Sequence, residues 1–198
     1  MAYCNLADLK LELGIETLTA GDDTILSSKI VKAQQMIEAY TRRVWEATAD
    51  TTRYYTVGVD TDGRDLLLDT ELAAAPTTVK TNADATSPLT IPSTDYVLLP
   101  RNRAPYYGIR ISGNSAYDWR YTNNPEKGIE IVGKFAYSTA APADIAQACI
   151  RLAGFLYRIK DTNAYDVSAS AETGQLVVPK GTPADVLNIL KERRKPTL

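Results

Sequence analysis

The chain has 198 residues, of which 44% are hydrophobic and 23% are charged, the balance of an ordinary folded globular protein. It contains no histidine, which removes the commonest general base, the commonest zinc ligand and every Ser-His or Cys-His nucleophile arrangement. Its formal net charge is −2, whereas a protein that grips nucleic acid usually carries a basic excess.

The chain opens with two predicted helices. Asn5 is the expected N-cap of a short first helix, and Gly14 is expected in the left-handed conformation that ends it. Asp22 and Asp23 begin a longer helix, because acidic residues favour the positive helix end. Six apolar residues at helical spacing form its core-facing stripe: Leu26, Ile30, Ala33, Ile37, Tyr40 and Val44.

Strand and turn patterns occupy residues 51–137. Residues 53–59 and 65–69 flank Asp-Thr-Asp-Gly at 60–63, which predicts a hairpin because Asp-Gly tolerates positive φ. Four further strands are predicted, at 77–81, 96–99, 108–112 and 128–137.

Helical patterns return at Pro142, which together with Asp144 makes a favourable helix start. Two apolar stripes follow on this third helix: Ile145, Cys149, Leu152, Leu156 and Ile159 on one side, and Ile150, Ala153 and Tyr157 on the other. A helix that is apolar on more than one face must be covered on more than one face. We therefore expect a neighbouring subunit to contact Ile150 and Tyr157.

A last helix is predicted after Thr182 and Pro183, with Val186, Leu187 and Leu190 on its apolar side. Residues 180–198 hold five basic and two acidic residues. Such a segment is typical of a solvated helix end, a membrane-surface helix or a docking arm. Its apolar residues are too few for firm membrane binding, so docking on an acidic protein patch is the preferred interpretation.

These elements predict an α+β fold. A small bundle of four helices is expected from residues 1–50 and 138–198, with a β-rich insertion, residues 51–137, between the second and third helices. Cys4 and Cys149 are expected to be small buried hydrophobes rather than a disulfide. No apolar run is long enough to cross a bilayer, and the first residues lack signal-peptide features, so neither a membrane span nor a leader is expected.

The densest acidic cluster comprises Asp60, Asp62, Asp65, Asp69 and Glu71. Its spacing fails the EF-hand pattern, because glycine stands at the fourth position rather than the sixth, and a solvated hairpin turn is preferred. A carboxylate-dependent enzyme that uses Asp60, Asp62 or Asp65 is an open alternative. No phosphate-loop, dinucleotide-binding or nucleophile-elbow motif occurs, and we expect no cofactor or metal.

Arginine and aromatic residues alternate within the predicted insertion: Arg101, Arg103, Tyr106, Tyr107, Arg110, Tyr117, Trp119 and Arg120. Such a stretch is typical of single-stranded nucleic-acid binding and also of protein interfaces. The negative net charge favours protein contact, with Tyr106, Tyr107 and Trp119 at a subunit interface. The alternative is a glycan- or nucleic-acid-binding module that uses these residues and Tyr117. Residues 114–127, which include Trp119, are expected to form an exposed loop.

Two stretches of the chain resemble a known family. The first is MAYCNLADLK at 1–10, followed by DDTIL at 22–26 and IEAYT at 37–41. The second runs from YST at 137–139 through PADIAQACIRLA at 142–153 to YR at 157–158. Here the chain resembles the head–tail connector (adaptor) family of long-tailed double-stranded DNA bacteriophages. Its end, from VVP at 177–179 to RR at 193–194, is similar to the C-terminal arm of that family, whereas the long β insertion departs from the smaller members.

The resemblance implies a non-enzymatic structural protein of the virion neck, made in the bacterial host cytoplasm. Members form a homo-oligomeric ring, usually of twelve subunits, beneath the portal protein of the filled head, and present the opposite face to the next connector, stopper or tail component. The arm hooks the portal, here through Val186, Leu187, Leu190, Arg193 and Arg194. Double-stranded DNA passes through the channel without specific binding, and a mildly acidic chain suits that role because a basic lumen would attract DNA.

Overall fold

The computed structural model describes residues 3–15, 20–161, 168–169, 176–177 and 182–195. The chain divides into two compact units, a strand-rich unit, Val44–Ala140, and a helical unit, Ala2–Arg43 with Ala141–Leu198. Two helices precede the strand-rich region and two follow it within the described residues, which confirms the predicted α+β class. No helix in these described ranges is long and apolar enough to span a membrane.

The helical unit contains α1 (Leu6–Leu13), α2 (Ala20–Thr41), α3 (Ala143–Asp161) and α4 (Ala184–Arg193). Helix α3 packs against each of the other three, which explains why more than one of its faces is apolar. Buried side chains from all four helices fill the interior: Leu9, Leu26, Ile30, Ala33, Ile37, Ile145, Cys149, Leu152, Val186 and Leu190.

The predicted caps of α1 are confirmed, but the predicted end of α2 is wrong. The Asn5 side chain accepts the Asp8 N–H at 2.7 Å, and Gly14 has φ +68°. Helix α2 ends at Thr41, because Arg42 adopts a left-handed conformation with φ +56°. Val44 consequently lies outside the helix and is exposed rather than part of the core-facing stripe.

Eight strands of the strand-rich unit form two four-stranded antiparallel sheets. In chain order they are β1 (Thr51–Tyr55), β2 (Thr61–Asp62), β3 (Asp65–Leu72), β4 (Thr78–Thr81), β5 (Leu89–Thr90), β6 (Tyr96–Leu99), β7 (Tyr106–Ile111) and β8 (Ile129–Gly133). The first sheet has the order β1-β8-β4-β5 and the second β2-β3-β7-β6. A short 3-10 helix, Pro125–Lys127, precedes β8. In the helical unit, β9 (Ser168–Ala169) pairs with β10 (Leu176–Val177).

The hairpin predicted around residues 60–63 paired the wrong two strands. Strand β1 pairs with β8, and β3 pairs instead with the two-residue strand β2. The tight turn lies at Gly63 and Arg64, where Gly63 has φ +59°. The chain between β1 and β2 forms a turn in which Asp60 accepts the Thr56 N–H at 2.7 Å. Strands β1 and β8 are far apart in sequence, and a local turn motif carries no information on such a pairing.

The inner faces of both sheets share one hydrophobic core. Strand β8 is buried at every second position, as a strand with one face in a core requires. The core consists of Tyr55, Leu66, Leu68, Leu72, Val79, Ile91, Ile109, Ile111, Trp119, Ile129, Ile131 and Phe135. The exposed loop expected at 114–127 is therefore wrong for Trp119, which is buried.

The two ends of the strand-rich unit lie side by side. The Tyr137 N–H donates to the Val44 carbonyl at 2.8 Å, and the Ser138 N–H donates to the Trp45 carbonyl at 3.2 Å. The Ala47 N–H in turn donates to the Ser138 carbonyl at 3.2 Å. Trp45 is fully buried, with its ring 4.9 Å from that of Tyr137. Backbone bonds and an aromatic contact thus close the unit where the chain enters and leaves it.

Gly128, which follows the 3-10 helix, has no room for a side chain. A Cβ there would lie 2.6 Å from Val57 Cγ2, 3.0 Å from Tyr121 Cβ and 3.2 Å from the Pro125 carbonyl oxygen. We expect Gly128→Ala to lower the free energy of unfolding by about 1–3 kcal/mol in urea denaturation. Gly113→Ala, whose Cβ would meet nothing within 4 Å, is the matched control and should change it by less than about 0.5 kcal/mol. Equal losses in the two variants would contradict the steric explanation.

The carboxylate of Asp84 holds the segment that leads into the 3-10 helix. Its oxygens accept the backbone N–H groups of Thr122, Asn123 and Asn124 at 3.0, 2.5 and 2.7 Å. These bonds, chiefly the one from Asn124, hold the pKa of Asp84 below its usual value of 3.8. The carboxylate is therefore favoured in the folded chain.

The Asp84 contacts predict a pH-dependent segment. Because folding lowers the pKa of Asp84, the contacts are fully present above pH 3.8 and are lost as the pH falls through the lowered value. At pH 6, Asp84→Asn should accelerate hydrogen exchange at the three amides several-fold, measured by NMR. Asp62→Asn removes the same charge from an exposed strand residue and should leave these amides unchanged. Unchanged exchange in Asp84→Asn would show that the carboxylate does not order the segment.

Candidate docking site

Helix α4 is the helix that the sequence predicts to dock on a partner. Pro183 is its N-cap residue, and the Leu187 N–H donates to the Pro183 carbonyl at 3.0 Å. Asp185 lies in the first turn, and Lys191 and Arg193 lie in the last, which is the favourable arrangement for the helix dipole. The segment therefore forms a regular helix with one apolar side.

Two ion pairs join α4 to α3. Arg151 Nη1 lies 2.6 Å from Asp185 Oδ2, and Arg193 Nε lies 2.7 Å from Asp144 Oδ2. All four side chains are a third to a half exposed, so each pair contributes roughly 0.2–1 kcal/mol. Apolar burial rather than charge consequently provides most of the attachment of α4.

An apolar groove of about 380 Å³, the α4 groove, runs along this helix. Its lining comes from α2, α3 and α4 and from Thr182, two positions before α4: Met36, Ala39, Tyr40, Leu152, Thr182, Leu187 and Leu190. The guanidinium of Arg194 lies 5.8 Å from the centre of the Tyr40 ring. The groove thus presents an apolar depression with a cation beside it, which suits an apolar side chain next to a carboxylate.

The five predicted docking residues lie in different environments. Val186 and Leu190 are 0% and 2% exposed within the helical unit, so they hold α4 in place. Arg193 is bound to Asp144 of the same chain. Leu187 lines the α4 groove, and Arg194 is exposed. Leu187 and Arg194 are therefore the members of the set that a partner can reach most directly.

The three predicted interface residues of the strand-rich unit also differ. Tyr107 is 51% exposed, whereas Tyr106 is half-buried and packs against the core. Trp119 is 8% exposed, and its Nε1–H donates to the Arg64 carbonyl at 2.9 Å. Tyr107 is thus available to a partner, while Trp119 is a core residue.

The helical unit presents further apolar residues that a partner could contact. Ile150 and Tyr157, the predicted contacts on α3, are half-buried. Leu11 on α1 and Val31 on α2 are 83% and 52% exposed, and neither is among the interface residues predicted from the sequence. Both lie off the core-facing stripes of their helices, so position on the helical wheel is the signal that identifies them.

Strand β3 presents an apolar residue on the outer face of the second sheet. Leu66 and Leu68 are buried, whereas Leu67 between them is 56% exposed, as strand alternation requires. Gly108 on β7 pairs with Leu67 on the neighbouring strand β3 and with Leu99 on β6. A Cβ at Gly108 would lie 3.8 Å from the Leu67 side chain and 3.7 Å from the Leu99 side chain. Three leucines in succession within a strand were the signal that one of them, Leu67, is exposed.

Three members of the acidic cluster, Asp60, Asp65 and Asp69, accept hydrogen bonds within the strand-rich unit. Asp69 accepts the Tyr55 hydroxyl at 2.9 Å and Arg53 Nη1 at 2.5 Å. Burial opposes the ionisation of Asp69, but these two contacts and a backbone hydrogen bond from Thr70 outweigh it and hold its pKa below the usual value. Asp65 accepts a hydrogen bond from Arg110, which lowers the pKa of Asp65. No group of three or more His, Cys, Asp or Glu side chains suited to a metal ion occurs in the part of the chain that the structure describes.

No family model and no curated protein matches the sequence. Among solved structures, a chain from the neck of an empty GTA particle computed with C6 symmetry is similar, with a TM-score of 0.66 and 18% identity over 99% of this chain and 91% of that chain. A chain from the virion of a native gene transfer agent (GTA) particle gives a TM-score of 0.60 at 18% identity, with the same coverage. A chain from the neck of a native GTA particle computed with C12 symmetry gives 0.57 at 17% identity, covering 98% of this chain and 89% of that chain. The resemblance predicted from the sequence is therefore confirmed at the level of the fold.

Proposed function

We propose that this protein is a structural, non-enzymatic head–tail connector in the neck of a tailed phage or phage-like particle. The observation that carries the proposal is the likeness of fold to a chain from the neck of a GTA particle over 99% of this chain. That likeness spans the helices and the strand-rich insertion alike. In this role the protein is made in the bacterial cytoplasm and is then incorporated into the virion neck.

In the proposed role, twelve copies form a ring. Similar neck structures were computed with C6 and C12 symmetry. A closed ring joins two different surfaces of successive copies, and each contact is expected to bury about 2,000 Å² or more. Six accessible apolar or aromatic residues are the candidates for these surfaces: Leu11, Val31, Leu67, Tyr107, Ile150 and Tyr157.

The proposed contact with the portal protein is the α4 groove. Leu187 and the groove accept an apolar portal side chain, and Arg194 beside Tyr40 pairs with a neighbouring portal carboxylate. The opposite face of the ring carries the next connector, stopper or tail component. Double-stranded DNA passes through the channel without specific binding, in keeping with the net charge of −2.

Deleting the gene in the producing host tests the connector role. We expect DNA-filled heads that lack tails, and a plasmid copy of the gene should restore tailed particles. Cryo-electron microscopy of wild-type particles should resolve a collar of twelve copies between the portal and the tail. Tailed particles from the deletion strain would contradict the connector role, whereas a collar of another number would contradict only the dodecamer.

A glycan- or nucleic-acid-binding module is not favoured. Trp119 is buried, and Tyr106 and Tyr117 pack against the core, so three of its four proposed ligand-binding aromatics are not free to stack on a ligand.

A further inference from the structure

The two cysteines of the chain lie side by side although 145 positions separate them. Cys4 Sγ and Cys149 Sγ are 3.4 Å apart, and both residues are free thiols buried in the helical unit. Cys4 lies in the short segment before α1, and Cys149 lies on α3. Two thiols in direct contact need only a small side-chain movement to reach the disulfide bond length of about 2.05 Å.

We propose that Cys4 and Cys149 form a redox-sensitive dithiol that low-molecular-weight disulfides such as oxidised glutathione convert into an intramolecular disulfide. The dithiol belongs to a reducing cytoplasm, and the disulfide forms when the protein reaches an oxidising medium. The proposal stands on the geometry of the helical unit and does not rest on the connector role.

The exchange proceeds in two balanced steps. The Cys4 thiolate attacks one sulfur of oxidised glutathione, forms a mixed disulfide and releases one glutathione thiolate. The Cys149 thiolate then attacks Cys4 Sγ, closes the protein disulfide and releases the second glutathione. The protein loses two electrons and two protons, and the oxidised glutathione takes up both to give two glutathione thiols.

Cys4 is the residue that the reagent attacks first. The hydrogen bond between the thiols lowers the pKa of Cys4 and raises that of Cys149, so the first thiolate forms at Cys4. Cys4 also lies outside any helix, whereas Cys149 is fully buried on α3. The reagent needs only a local opening of residues 3–5. The Tyr3 hydroxyl, which donates to Glu38 at 2.6 Å, opposes that opening.

The closed disulfide would tie the N-terminal segment to α3 across most of the chain. A crosslink between residues so far apart in sequence greatly reduces the conformational freedom of the unfolded chain. Oxidation is therefore expected to raise the apparent Tm by roughly 5–15 °C.

Full-length protein, purified with a reductant and then transferred to glutathione buffers of increasing oxidised fraction, tests the proposal. We expect free thiols to fall from two per chain to none, the intact mass to fall by about 2 Da, and the Tm to rise as stated. Peptide mapping should show the Cys4–Cys149 link. Tyr3→Phe should react faster than the wild type, because it lacks the bond to Glu38.

Cys149→Ser is the control variant. It should stop at a mixed disulfide of Cys4 with glutathione and show no rise in Tm. For the wild type, two free thiols in fully oxidised buffer, a persistent mixed disulfide, or disulfide-linked dimers would each overturn the proposal. None of these results would alter the outcome of the gene-deletion experiment, so the two proposals fail separately.

Discussion

Replacing Trp119 with alanine is expected to lower the free energy of unfolding by about 3–5 kcal/mol, because it empties a large volume in the strand-rich core. The indole is 8% exposed and belongs to the cluster formed by the inner faces of both sheets. Alanine would also remove one donor to the Arg64 carbonyl, which accepts the Ile111 N–H at 3.0 Å as well. Urea denaturation followed by circular dichroism measures the loss.

The backbone on both sides of Trp119 explains its orientation. Thr81 is fully buried, donates its hydroxyl to the Asp118 carbonyl at 2.9 Å and accepts the Arg120 N–H at 2.8 Å. These two bonds fix the residues before and after Trp119 against β4, and the indole between them packs into the core.

Two further measurements separate a core role for Trp119 from a ligand-binding role. Trp119→Phe keeps most of the apolar volume but lacks the N–H donor, so it should cost less than alanine, about 1–3 kcal/mol. Oligosaccharides and oligonucleotides should leave the tryptophan fluorescence unchanged. An alanine variant as stable as the wild type, together with saturable quenching by either ligand, would restore the binding-module interpretation.

Changing the α4 groove is expected to stop particle assembly without unfolding the protein. The double variant Leu187→Asp with Arg194→Glu places carboxylates where an apolar side chain and an acidic group of the portal are proposed to bind. We expect tailed particles to fall at least about 10-fold, counted by electron microscopy. Circular dichroism should show a folded protein, because neither residue is fully buried.

A charge-matched variant controls for the added negative charge. Asn188→Asp with Lys191→Glu makes the same total change at exposed positions of α4, and it should leave assembly within about twofold of the wild type. Wild-type assembly by the groove variant would contradict docking at the α4 groove. Equal losses in both variants would assign docking to the overall charge of α4. Removing α4 is a poorer test, because Val186 and Leu190 are part of the helical core.

Local patterns predicted the helices better than the sheets. The caps at Asn5 and Gly14 are recognisable because the residues that make them lie within one turn of the helix they terminate. The partner of β1 is β8, which follows about seventy residues later, and nothing in either strand identifies the other. The tetrapeptide at 60–63 therefore suggested the wrong pairing.

The helical spacing of apolar residues also does not show whether the chain itself or a partner covers the apolar side of a helix. The spacing of Val186, Leu187 and Leu190 correctly predicted an amphipathic α4, but the sequence assigned all three to a partner. In the structure, the chain itself covers Val186 and Leu190 and leaves Leu187 in the groove. Trp119 shows the same limit, since an aromatic residue in a polar segment has the same appearance in sequence whether it contacts a partner or its own core.

Backbone hydrogen bonds between residues 44–47 and 137–138 hold the two ends of the strand-rich unit together. The unit is therefore a self-closed cassette within the chain. Any insert that begins and finishes on these few backbone bonds would likewise hold its own two ends together. Strands can then be lengthened, trimmed or exchanged, by evolution or by design, while the helices keep their own termini. Grafting the cassette between two helices of an unrelated protein would be a direct use of that modularity.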